Sequence, residues 1–256
     1  MNNRPHLSKY LLKLVSLPTP LDFFVEHGKN PSQVLHIGAH LAEEKSRYEQ
    51  LGIKNSLWVE AQPQVFRQLV EIVGPINSLN CAVWSSQTTL KLKVSSNSVS
   101  SSLLDLDSDN PWVDLKFDEE IEVNTLTMDD VLDIFERREV LSPEMFLVLD
   151  IQGAEYQALS RWEKRSKIIA ISCEVSKYRG YSGASRRWQI SLKMLRLGFV
   201  PGAAFLDSKT GHGDQLYVKF GTAVSNPKLL ALSFVRLMLL KLIELKNFLT
   251  PKFFID

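Results

Sequence analysis

Three apolar runs in this chain each end on a carboxylate: Leu57-Trp58-Val59-Glu60, Phe146-Leu147-Val148-Leu149-Asp150 and Ile168-Ile169-Ala170-Ile171-Ser172-Cys173-Glu174. An acidic residue at the end of a buried strand lies where a parallel sheet opens its ligand crevice. There it can accept a hydrogen bond from a bound hydroxyl or take its proton. Asp150 and Glu174 are expected to project from neighbouring strand ends into one cleft, which suits either a divalent cation with oxygen ligands or a general base. Read singly, each position has a plainer role, Asp150 as a helix cap and Glu60 as a solvated loop charge.

The run Val34-Leu35-His36-Ile37-Gly38-Ala39-His40 reads as a strand, a tight glycine turn and the start of a helix that carries Glu43 and Glu44. Small residues in such a turn let a nucleotide approach the backbone, although Gly-Ala pairs also follow buried strands for steric reasons alone. Glu60 closes the next strand about 20 residues beyond Gly38, the separation at which a βαβ unit sets a carboxylate beside a ribose. No Gly-x-x-Gly opens the helix, so no diphosphate has to be cradled. That favours S-adenosylmethionine over a nicotinamide dinucleotide.

Two histidines could work with these carboxylates. His40 follows the glycine turn and would either act on a proton or pack on the next helix. His212 sits in the turn Gly211-His212-Gly213 ahead of the last strand, where a plain turn role is equally open. After Glu174, the residues Lys177, Tyr178, Arg179, Tyr181, Arg186, Arg187 and Trp188 mix cations with aromatics. That mixture fits a sugar or phosphorylated acceptor, and a solvated helix start as well.

Elements must hold these positions. From residue 33 onward short β-branched runs alternate with helical stretches, the rhythm of a parallel sheet flanked by helices. The pattern predicts strands at 33–37, 56–60, 77–83, 89–94, 145–150, 167–174 and 214–220, and helices at 41–51, 63–73, 126–137, 154–161 and 184–197. Residues 94–110 are rich in serine and read as a long surface loop, of the kind that lies over active sites. Leu7, Tyr10, Leu11, Leu14 and Val15 fall at helical spacing over 6–16, and 227–249 reads as a long, strongly apolar helix. That last helix would pack on the domain or on a second copy of the chain, or lie in a membrane surface.

The 256 residues are 45% hydrophobic, enough for one main core. The expected division is an N-terminal helical extension over 1–30, a main domain over 31–220 and a C-terminal amphipathic helix over 221–256. Thirty Lys and Arg against 29 Asp and Glu give a net charge of +1, which argues against a nucleic-acid partner gripped by a broad basic face. Cys81 and Cys173 both lie in apolar runs, as buried reduced thiols would, and point to the cytoplasm. No signal-peptide pattern is present at the N-terminus, and no run reaches the roughly 20 apolar residues of a membrane span.

Taken in order, Ile37-Gly38-Ala39-His40, Trp58-Val59-Glu60-Ala61-Gln62-Pro63, Asn80-Cys81-Ala82-Val83, Ser100-Ser101-Ser102-Leu103, Thr125-Leu126-Thr127-Met128-Asp129-Asp130 and Leu149-Asp150-Ile151-Gln152-Gly153-Ala154-Glu155 resemble the FkbM family of methyltransferases. The resemblance runs from about residue 33 to 220. It implies the Rossmann-like class I methyltransferase fold of the α/β class, a doubly wound, mostly parallel sheet whose last strand is antiparallel. It also implies S-adenosylmethionine as cofactor and O-methylation of a hydroxyl on a small-molecule acceptor such as a sugar, glycan or natural product.

On that resemblance His36, Gly38, Ala39, His40, Glu60, Ala61, Ala82, Val83, Asp150 and Gln152 would face the cofactor. Asp150, Glu174, His40 and His212 are the candidates for catalytic proton transfer, and Glu155, Lys177 and Tyr178 for holding the acceptor. A divalent metal, if used, would sit on Asp150 and Glu174. The sequence departs from the family at His36, where many relatives end the first strand on an acidic residue, and at Ala42, where they often carry glycine. Two readings compete with an enzyme of this kind. One is a non-catalytic descendant that recruits a partner or a membrane through its C-terminal helix. The other is a nicotinamide-dependent oxidoreductase, disfavoured by the missing diphosphate loop.

Overall fold

The computed structural model describes residues 17–97, 99–108, 110, 115–207 and 210–249, with only the backbone described from 240 onward. The helix expected over 6–16 lies outside the described residues. A seven-stranded sheet forms the centre of the molecule, in the spatial order β3 (Ser78–Asn80), β2 (Asn55–Glu60), β1 (Gln33–Ile37), β7 (Met145–Leu149), β8 (Ile168–Ser176), β10 (His212–Lys219) and β9 (Phe199–Leu206). The first five run parallel, and β10 inserts antiparallel between β8 and β9. This is the Rossmann-like arrangement of an α/β protein, with the last strand in the chain reversed. The chain winds outward from β1 in one direction and from β7 in the other, so the crevice of such a sheet falls at the ends of these two strands.

Both faces of the sheet are covered. Each residue of β1 is buried, so Gln33-Val34-Leu35-His36-Ile37 carries no exposed alternate side. On one face α4 (Met128–Arg137), α5 (Glu155–Ala158) and α6 (Arg187–Arg196) bring Val131, Phe135 and Met194 against Leu35, Ile37 and Leu147. On the other, α1 (Pro20–His27), α2 (Lys45–Gln50), α3 (Pro63–Val73) and the first turns of α8 (Pro227–Leu249) bring Phe24, Tyr48, Leu69 and Leu229 against Val34, Trp58 and Phe146. Adjacent β1 residues thus serve different cores, as the period of two requires.

The long apolar helix α8, joined to β10 by α7 (Phe220–Ser225), lies against β9. Its Arg236 guanidinium stacks 3.9 Å from the Phe205 ring centre and donates from Nε to the Ala204 carbonyl. Phe234 and Met238 stay exposed. Among the described residues no helix is long and apolar enough to cross a membrane.

The expected strand over 77–83 divides between two sheets. Its end, β4 (Ala82–Val83), joins β6 (Phe117–Leu126) and β5 (Thr88–Ser95) in a small second sheet. β6 was not expected because Phe117-Asp118-Glu119-Glu120-Ile121-Glu122 shows little apolar character, yet Val123 and Thr125 are buried while its acidic residues face out. β9 was not expected, and Pro201 and Gly202 interrupt its apolar run. β9 is the outermost strand of its sheet, where a proline is tolerated, and its register with β10 slips beside Pro201. The helix expected over 41–51 shortens to α2 because a tight turn occupies its first residues, and the one expected over 154–161 ends early, after the four residues of α5.

Helix α1 is anchored by a buried charge. Thr19 caps it, and its Asp22 carboxylate, almost fully enclosed, is held by Thr19 Oγ1 at 2.8 Å and by Nε and Nη2 of Arg47 on α2. Replacing Arg47 with Met leaves that carboxylate without its cation. Arg47→Met should lower stability by about 2 kcal/mol, read as a fall in the urea midpoint at unchanged slope.

Candidate functional site

The crevice between β1 and β7 is set by a backbone contact. Asp150 N–H donates to the Ile37 carbonyl at 3.0 Å, and the N–H groups of Gly38 and Ala39 both donate to the Val59 carbonyl at 3.0 Å. A Cβ on Gly38 would lie 1.6 Å from the Asp150 carbonyl oxygen, and its φ is +86°. Only glycine fits there. His40 and Ala42 continue the turn with φ of 42° and 54°, so Ala42 holds a left-handed conformation that a glycine adopts without strain.

Every position expected to face a cofactor lines one cavity of about 270 Å³, which also takes in Glu43, Glu44, Leu92, Val99, Ser101 and Leu103. Glu60 sits in its wall with Oε2 accepting from His40 N–H at 2.9 Å and Oε1 from Gln62 N–H at 2.7 Å. Burial raises its pKa, and those two N–H groups oppose the rise. The His40 ring meets Glu43 at 2.6 Å. His36 is buried, stacked on Trp58 with centroids 5.4 Å apart, and its Nδ1 is hydrogen-bonded to Tyr48 OH at 3.0 Å. Burial holds its pKa down at about 4, so the ring is neutral at pH 7.

Asp150, Glu174 and His212 come together beside this cavity. Gln152 Nε2 donates to Asp150 Oδ1 at 2.8 Å and to Glu174 Oε1 at 3.3 Å, while His212 Nε2 lies 2.9 Å from the same Glu174 oxygen. Burial raises the pKa of both carboxyls, and for Glu174 the charges of Asp150, Glu155 and Asp214 add to the effect. The one Gln152 amide nitrogen donates to both carboxyls and so draws them together, and like charges held this close disfavour ionising both. Burial lowers the His212 pKa against the charge of Asp207. Among the described residues no group of three or more His, Cys, Asp or Glu is placed to hold a metal ion. The space between Asp150 and Glu174 is bridged by the Gln152 amide.

Glu155 Oε1 accepts from Ile151 and Gly153 N–H, closing the turn that follows β7. With Glu174, His212, Tyr178 and Tyr181 it lines a small cavity of about 20 Å³, room for one water-sized or hydroxyl-sized group. Lys177 and Tyr178 lie farther out and are exposed.

Two contributors were not singled out from the sequence for this cluster. Asp214 stands directly opposite Glu174 in the β8 and β10 register, its pKa pushed up to about 7 by burial and then by Asp150 and Glu44. Its one signal was a charge inside an apolar strand. Tyr181, grouped in the sequence only with its cationic neighbours, donates its hydroxyl to Gln152 Oε1 at 2.8 Å and so turns the Gln152 amide group toward the two carboxyls.

The serine-rich segment is a roof, and parts of it are buried. Ser102 exchanges both backbone hydrogen bonds with Lys93 and donates its Oγ to the Gln152 carbonyl at 2.7 Å. Farther along, Asp107 N–H meets Gly180 O, and Ser182 N–H meets Asp105 O. Serine hydroxyls satisfy one another within the segment, as Ser95 and Ser101 do, which is how a polar run enters the interior.

A family model described as the methyltransferase FkbM domain matches residues 36–201. A solved SAM-dependent methyltransferase structure from Aquifex aeolicus aligns with 82% of this chain and 96% of its own, at 12% identity and a TM-score of 0.39. No curated protein matches the chain.

Gly38→Ala should separate the ends of β1 and β7 and cost roughly 3 kcal/mol or more in chemical denaturation. The acidic cluster sets a pH dependence. Burial raises Glu155 from 4.5 to about 7, so the folded chain keeps a proton that the unfolded chain releases. Stability from this group is complete below pH 4.5 and is lost as pH rises through about 7. Glu155→Gln retains the acceptor oxygen and removes the charge. Denaturation curves should show it more stable than wild type at pH 8 by up to about 3 kcal/mol, with the advantage vanishing near pH 4.5.

Proposed function

Since this chain belongs to the FkbM methyltransferase family, we propose that it is an S-adenosylmethionine-dependent O-methyltransferase acting on a hydroxyl of a sugar, glycan or natural-product acceptor. The observation that carries this reading is the enclosure of Glu60, the Gly38 turn and Asp150 around one cavity, with a second, hydroxyl-sized cavity at Glu174 and His212.

The cavity fits that cofactor. Glu60 has lone pairs beyond those used by His40 and Gln62, and these would accept the ribose hydroxyls. Ala82, Val83, Leu92 and Leu103 give an apolar wall for adenine. Glu44 and Asp150 give the cavity acidic character, suited to the cofactor's ammonium and sulfonium charges. When bound, S-adenosylmethionine supplies a methyl group already activated by its sulfonium.

The chain's own residues then orient the acceptor and move its proton. The pair formed by Asp150 and Glu174 would take the proton of the acceptor hydroxyl as that oxygen is methylated. Two carboxyls sharing one proton carry a single negative charge and can take a second. His212, on Glu174, offers that proton a route outward. Tyr181 acts as a positioning residue through Gln152. A base of this kind requires no cation between Asp150 and Glu174.

We read 31–220 as the catalytic body and take the two buried free cysteines as fitting a cytoplasmic setting. Contact with a second copy or a membrane surface through α8 would use Phe234 and Met238.

Calorimetric titration with S-adenosylhomocysteine checks the reading first. Wild type should bind, and Glu60→Ala should bind at least about tenfold more weakly. Absence of binding by well-folded wild type would leave the non-catalytic alternative standing.

A further inference from the structure

A larger groove, of about 790 Å³, lies where β9, β10 and α6 meet. Three cations line it: Lys177, Arg186 and Arg187. Among the described residues none of the three has a carboxylate in ion-pair contact. Lys177 instead lies over the Tyr178 ring, 5.2 Å from its centre. Asp207 also lines the groove, with its Oδ1 accepting from the N–H and hydroxyl of Thr210.

Arg187 is built into place. Its Nε donates to Gln215 Oε1 at 3.0 Å, and Nη2 donates to the same oxygen. Gln215 is buried and fixed in turn by its Nε2, which donates to the Gly202 carbonyl at 2.7 Å. A buried neutral amide therefore orients a guanidinium without neutralising it, and leaves Nη1 to the groove.

The groove has an apolar partner for these charges. Trp188, 63% exposed, and Leu192 and Leu195 form a stripe along α6, and Tyr178 is 48% exposed. An exposed indole beside unneutralised cations is a surface for a ring that carries an anionic substituent. Tyr178 lines both this groove and the hydroxyl-sized cavity holding Glu174 and His212, and Lys177 N–H is tied to Gly211 O beside His212.

We propose that the groove binds an anionic saccharide, a sugar bearing a phosphate or carboxylate, whose charge rests on Lys177, Arg186 and Arg187 while its ring stacks on Trp188. The inference rests on the methyl-transfer reading for its consequence: one hydroxyl of the saccharide reaches past Tyr178 to Glu174.

The test follows the Trp188 indole N–H by nitrogen-15 NMR in the full chain, with the signal assigned through Trp188→Phe. Glucose 6-phosphate, glucuronate, glucose and inorganic phosphate are titrated separately, so that the first two tell a phosphate from a carboxylate source. Saturable shifts are expected from at least one anionic sugar, well beyond those from glucose or inorganic phosphate. The variant Lys177→Gln/Arg186→Gln, altered only at exposed side chains, should bind that sugar about tenfold more weakly. Glucose matching the anionic sugars, inorganic phosphate matching glucose 6-phosphate, or an unchanged affinity in the variant would each overturn the proposal. S-adenosylhomocysteine calorimetry on the same samples separates the two readings. Nucleoside binding without anionic-sugar binding defeats the groove alone, and the converse defeats methyl transfer alone.

Discussion

The structure depends on a close approach of two backbones. At the ends of β1 and β7 the Asp150 carbonyl oxygen occupies the space a Gly38 side chain would need. That contact lets the two central strands stay hydrogen-bonded up to their last residues, with Asp150 N–H on the Ile37 carbonyl, and it aims the Asp150 side chain into the crevice. The same turn directs His40 N–H onto Glu60. One glycine thereby sets the relative positions of the carboxylates on β2 and after β7. The left-handed backbone at His40, Ala42 and Gln152 shows that neighbouring residues accept strain to keep this geometry.

The second organising constraint is electrostatic. Asp150, Glu155, Glu174 and Asp214 gather in a buried space, and Glu174 and Asp214 stand directly opposite in adjacent strands. Like charges so placed oppose folding. The cluster responds by holding protons, and it is tied together by groups that donate to carboxyls: the Gln152 amide, the His212 ring and the N–H groups of the turn after β7. A set of carboxyls that retains protons near neutrality is costly to stability and suited to proton transfer. Ser102 and Tyr181 close over it, Ser102 on the Gln152 carbonyl and Tyr181 on the Gln152 side chain and the Ser100 carbonyl.

The remainder of the fold brings these parts to one edge. Strand ends β1, β7 and β8 deliver the acidic side chains, and the reversed β10 delivers His212 and Asp214 to the same edge, because an antiparallel strand starts where its neighbours finish. Loops that follow β8 and precede β10 then place Lys177 next to Gly211, so the cationic groove begins where the carboxyl cluster ends.

The sequence by itself determined the framework. Continuous apolar runs fixed β1, β2, β7 and β8, since strands covered on both faces must be apolar throughout, and α3 was legible to the residue from its periodicity. The carboxylates that end those runs were legible for the same reason: a charge after a buried run marks where the strand leaves the core. What the tertiary structure decided was everything that depends on a neighbour distant in the chain. Pro201 is harmless only because β9 is outermost. Ser102 is buried only because Lys93 and Gln152 satisfy it. Glu155 closes a turn, Tyr181 orients an amide, and Asp214 joins the acidic cluster only once β10 lies against β8. Local pattern reports whether a residue is buried. The company it keeps there, and hence its charge and its chemistry, is settled by which strands pair.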